Sequence, residues 1–160
     1  MVIDEKVLTE FMKQKFKGAG YMVAIRGGRI WLITPLWTVW CYVEQLPRKV
    51  LGLLAEHMGK LPGEGETYEV SEAMGCQVKF CDISELKIVE AAFFIDNEGR
   101  RLLNTPLTFQ CWDLWQIEGT ERMVQIDPDL LALIKKYETL HYAKECCGIS
   151  DVESGVYISV

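Results

Sequence analysis

Six cysteines and two histidines are the residues of this 160-residue sequence best suited to metal or nucleophilic chemistry. Structural zinc usually draws on paired Cys-x₂₋₄-Cys knuckles in loops, followed by a second pair. Here Cys76 and Cys81 are separated by four residues of strand-like sequence, and Cys146 and Cys147 are adjacent, so the spacing makes no metal site. His57 falls beside Val50 and Leu53 on the apolar side of one helical pattern, and His141 beside Leu133, Ile134 and Tyr137 on another. Histidines placed so are ordinarily boundary or core residues with satisfied rings. No cysteine stands out as a nucleophile. A Gly-x-Ser-x-Gly elbow and a phosphate-binding Gly-x-x-x-x-Gly-Lys-Ser/Thr loop are both missing, and Gly63-Glu64-Gly65-Glu66 would repel a phosphate. The expectation is a chain with no catalytic residue, no metal and no cofactor; a cysteine- or zinc-dependent enzyme is the alternative, marked by bound metal or one unusually reactive thiol.

The stronger signal is aromatic. Trp31, Trp37, Trp40, Tyr42, Phe93, Phe94, Trp112 and Trp115 all fall on strand-like segments and divide between the two faces of their strands. In Trp37 to Val43, Trp37, Val39, Cys41 and Val43 point one way, and Thr38, Trp40 and Tyr42 the other. One face packs on helices; the other must meet a second layer or another molecule, because Trp and Tyr often anchor interfaces. Trp37, Trp40, Tyr42, Trp112 and Trp115 are the candidate partner-binding residues.

The elements that position these residues can be read in order. Asp4 caps a helix to about Lys17, with Val7, Leu8, Phe11, Met12 and Phe16 on one arc and Lys6, Glu10, Lys13 and Lys17 opposite. Gly27-Gly28 joins strands Tyr21 to Arg26 and Arg29 to Ile33 in a hairpin. Pro47 opens a helix over about Arg48 to Lys60 whose buried stripe is Val50, Leu51, Leu53, Leu54, Met58 and Leu61. Short strands follow at Thr67 to Val70 and Gln77 to Cys81. Lys87 to Ile95 reads as a strand, joined through Asp96-Asn97-Glu98-Gly99 to Arg100 to Leu103. Leu107 to Ile117 and Glu121 to Ile126 form a hairpin around Gly119. Asp127-Pro128-Asp129 starts a helix reaching about Cys146, with Leu130, Leu133, Ile134, Tyr137, Leu140 and His141 on its apolar arc and Gly148 as its stop. Val156 to Val160 closes the chain as a strand. The expected class is α+β: a mixed, mainly antiparallel sheet built from hairpins, with about three helices packed on it.

Composition sets the outer bounds. With 49% hydrophobic and 25% charged residues and no low-complexity run, the chain reads as one domain over residues 1–160. The acidic start and the lack of about 18 consecutive apolar residues predict a soluble, cytoplasmic protein that neither enters nor crosses a membrane, with reduced thiols. The net charge of −6 argues against a general nucleic-acid binder, yet residues 1 to 60 carry nine Lys/Arg against five Asp/Glu, and residues 61 to 160 eight against eighteen.

The Tyr21 to Ile33 hairpin, the LPRKVLGLLAEHM helix and the passage ERMVQIDPDLLALI give an element order that resembles, in outline, one domain of a DNA sliding clamp. The chain is also similar to small proteins of phages and mobile elements. The first resemblance implies that Lys6, Lys13 and Lys17 occupy a DNA-facing helix surface, making a nucleic-acid-binding accessory protein a further alternative. The second implies a protein acting on a host or replication protein, such as an inhibitor of host defence. The leading expectation is a non-enzymatic protein-binding protein, its partner another protein or, as a homodimer, itself.

Overall fold

A computed structural model describes residues 1–135 and 139–160. Helix α1 spans Glu5–Lys17, and the Asp4 carboxylate accepts the Val7 N–H at 3.0 Å, as its sequence position requires. Leu8 and Met12 fall on its fully buried side. Strands β1 (Tyr21–Arg26) and β2 (Arg29–Ile33) are joined by Gly27 and Gly28 at φ of 58° and 70°, the left-handed pair that a tight primed turn needs. Strand β3 (Trp37–Tyr42) follows, then helix α2 (Arg48–Met58) with Val50, Leu53 and Leu54 buried. Leu51, expected in that stripe, is 42% exposed, because it falls about 100° round the helix from Val50. Strands β4 (Thr67–Ser71) and β5 (Gly75–Lys79) form the next hairpin.

The second half departs from expectation in three places. Lys87–Glu98 is helix α3 and not a strand: Ile88, Ala91, Ala92 and Ile95 recur at helical spacing and are all buried. The residues read as a turn, Asp96 to Glu98, are its last turn. Strand β6 runs unbroken over Arg100–Phe109, apart from an irregularity in its pairing between Asn104 and Thr108, and turns through Gln110-Cys111 into β7 (Trp112–Ile117) and β8 (Met123–Ile126). The long helix expected from Asp127 is a single turn, α4 (Pro128–Leu131), with Asp127 capping the Asp129 N–H at 2.9 Å. Its expected continuation instead contains β9 (Leu140–Ala143) and β10 (Cys146–Ser150), so Leu140, His141 and Gly148 are strand residues; Tyr137 lies outside the described residues. Strand β11 is Ser154–Ser159.

The strands form one eleven-stranded sheet in the order β5-β4-β1-β2-β3-β11-β10-β9-β6-β7-β8, every neighbouring pair antiparallel. The protein is therefore α+β with a mainly antiparallel sheet. Strand alternation sends Trp37, Val39 and Cys41 into a core with α1 and α2, and sends Trp40 to the other face, into a smaller core with α3. Trp115, Ile117 and Ile126 extend the first core along β7 and β8. On the opposite face α3 packs chiefly over β10, β9, β11 and β3, and the core it forms there also takes in Ala24 of β1 and Ile33 of β2.

Candidate functional site

The end of the sheet beyond α3 carries an uncovered apolar surface. Because Trp115, Ile117, Val124 and Ile126 point into the large core, Trp112, Leu114 and Met123 must point to the opposite face, the one on which α3 lies farther along the sheet. Phe109 sits opposite Trp112 in the ladder and shares that side. Leu107 is 56% exposed, Phe109 54%, Trp112 43% and Met123 40%, with Leu103 and Leu114 half-buried among them. The tip is held by Gln110 and Cys111 at φ of 51° and 67°, a conformation that costs a side-chain-bearing residue energy that Gly or Asn would largely avoid. An exposed apolar patch centred on a tryptophan is an interface composition.

A second feature lies where β2 and β3 meet α3. Arg29 and Tyr42 are cross-strand partners, and the Arg29 guanidinium lies 4.2 Å from the centre of the Trp40 ring and 5.5 Å from that of Tyr42. Trp40 Nε1 donates to Tyr157 Oη at 3.3 Å, and Tyr157 Oη in turn donates to the Asp96 carboxylate at 2.7 and 2.8 Å to its two oxygens. Ser150 Oγ donates to the same carboxylate at 2.8 Å. Burial, reinforced by the Asp96 charge, pushes the Tyr157 pKa up and keeps its hydroxyl a donor. Arg29, Trp31, Phe93, Glu90 and Asp96 border a hollow of about 350 Å³ above this chain of bonds.

The aromatic residues singled out from the sequence are divided by the fold. Trp37, Trp40 and Trp115 are 1%, 3% and 4% exposed and belong to the two cores, where no partner meets them without opening the fold. Tyr42 is half-buried under Arg29, and only Trp112 presents a large exposed surface. Lys6, Lys13 and Lys17 are all exposed on α1, with Lys13 Nζ 3.2 Å from Glu10 Oε1. Phe109, Leu107, Met123, Arg29 and Asp96 complete the two features without having been singled out. Phe109-Gln110-Cys111-Trp112 holds no Gly or Asn to announce a hairpin, and Asp96-Asn97-Glu98-Gly99 has the composition of a turn although Asp96 lies in α3.

Among the described residues, no three His, Cys, Asp or Glu side chains converge as a metal site would require, and no helix is long and apolar enough to cross a membrane. No protein-family model, no curated protein and no solved structure matches the chain.

Proposed function

We propose that this chain is a non-enzymatic protein-binding protein that docks on its partner through the outer face of β6, β7 and β8, with Trp112 as the anchor. The observation that carries this reading is the cross-strand pair of Phe109 and Trp112, both large, both exposed, and both on the sheet face opposite the large core. Burying such aromatics in a partner's pocket removes apolar surface from water at roughly 25 cal/mol per Å², and clustered Trp contacts usually dominate an interface. The double substitution Phe109→Ser, Trp112→Ser removes the anchor and leaves both cores intact. Proteins retained by the immobilised wild type and by the double variant should be compared, with light scattering of both as the measure of self-association. Loss of one retained protein in the variant, with its circular dichroism unchanged, supports the reading. Identical retention by both, or concentration-dependent dimers abolished by the variant with no other protein retained, overturns docking on a different protein.

A further inference from the structure

The hollow between β2, β3 and α3 is charged at separate points and apolar between them. Arg29 contributes the positive charge. The residue is half-buried, and its side-chain interactions with described residues are the two ring contacts; no ion pair or hydrogen bond satisfies its donors there. A guanidinium presents up to five N–H donors in a planar fork matched to a carboxylate, so stacking against Trp40 and Tyr42 fixes its plane and leaves donor capacity for an anion. The negative charges come from α3. Asp96 is held by Tyr157 and Ser150 with lone pairs to spare, and Glu90 is only loosely engaged, its nearest cation being Lys144 at 3.9 Å. No ion pair joins Arg29 to either acid, so guanidinium and carboxylates stand apart around the same space. Between them lie Trp31, Val89 and Phe93, with Phe93 68% exposed at the rim.

We propose that this hollow binds a free α-amino acid with an apolar or aromatic side chain. The ligand carboxylate meets Arg29, its ammonium meets Asp96 and Glu90, and its side chain lies against Trp31 and Phe93. A simple anion would meet two carboxylates beside its one guanidinium, and a simple cation would meet Arg29; a zwitterion satisfies both ends. The hollow, at about 350 Å³, falls at the small end of the range for ligand sites, as such a ligand requires. The site lies on α3 and β2–β3 and is independent of the docking face on β6–β8.

The test is calorimetric titration of the full chain with L-phenylalanine and L-leucine, alongside 3-phenylpropionate, which lacks the ammonium, and phenethylamine, which lacks the carboxylate. The expected result is saturable 1:1 binding of the amino acids, with each truncated probe weaker by about tenfold or more, the effect of losing a charge-assisted hydrogen bond. Arg29→Met keeps much of the packing on Trp40 and should abolish the preference for phenylalanine over phenethylamine. Asp96→Asn still accepts from Tyr157 and should weaken phenylalanine while leaving 3-phenylpropionate unchanged. Glu90→Gln, on the exposed side of α3, gives a variant whose folding is not at stake and should weaken the amino acid in the same sense. Absence of saturation, equal binding of phenylalanine and 3-phenylpropionate, or unchanged binding by Arg29→Met would overturn the proposal.

Discussion

Gly155 stands opposite Trp40 across the β3–β11 ladder, and a Cβ at position 155 would lie 2.4 Å from the indole nitrogen and 2.8 Å from Tyr157 Oη. The missing side chain is what lets Trp40 lie flat enough to donate to Tyr157 and to carry Arg29 on its ring. Gly155→Ala is therefore expected to displace the indole and destabilise the fold by about 1–3 kcal/mol, the usual cost of overpacking. Chemical denaturation measures the loss, and a neutral or stabilising substitution would contradict this packing.

The thiols should divide by burial. Cys76 and Cys111 are exposed, whereas Cys41, Cys146 and Cys147 are buried and Cys81 is intermediate. Burial pushes the Cys41 thiol up to about 11 and raises those of Cys146 and Cys147 as well, which removes thiolate at neutral pH. Labelling of the native protein with a chromogenic disulfide should modify Cys76 and Cys111 first and reach Cys41, Cys146 and Cys147 only on unfolding. Rapid native labelling of Cys147 would be inconsistent with β10 as a core strand.

His57 gives a pH dependence of defined sign. Its ring stacks on Phe16 at 3.7 Å and 5°, and its Nδ1 is 2.8 Å from Tyr21 Oη. Burial lowers its pKa, with Glu56 opposing. The folded state then holds fewer protons on His57 than the unfolded state between the lowered value and about 6.5, so stability rises with pH through that window and is complete above it. His57→Phe retains the stack and does not titrate. The melting-temperature advantage of wild type over this variant should shrink as pH falls from about 7.5 to about 5.5, a window above the ordinary carboxylate range; an advantage that grows in acid would contradict the assignment.

The Gln110-Cys111 turn should be improvable. Replacing it with Asn-Gly, the pair that adopts left-handed φ most readily, is expected to stabilise the chain by about 1 kcal/mol without altering the register of Phe109 and Trp112. A loss of stability would show that the two side chains make interactions worth more than the strain they carry.

These turns also explain how far the sequence could be read. The first half was legible because its punctuation is conventional: Asp4 caps, Gly27-Gly28 turns, Pro47 opens a helix. The β6–β7 and β9–β10 hairpins turn through Gln110-Cys111 and Lys144-Glu145, all four at positive φ and none of them Gly or Asn, so the sequence of one hairpin reads as a straight strand and that of the other as part of a helix. In α3 the β-branched and aromatic residues Ile88, Val89, Phe93 and Phe94 favour a strand by composition, while the burial of Ile88, Ala91, Ala92 and Ile95 follows the helical period. Of the candidate site, Trp112 was legible, but its exposure was not. Exposure depends on where α3 ends its cover of the sheet, a tertiary fact that alternation along a single strand does not carry.

In the proposed function, Trp112 anchors the face that meets another protein. A photo-crosslinking amino acid placed at position 112, and separately at Val152, which is 85% exposed on the turn before β11, compares that face with an isolated apolar residue elsewhere. Crosslinking in the native cell should join position 112 to one defined protein and leave position 152 without that product. Equal products at both positions, or none at 112, would contradict docking through this face.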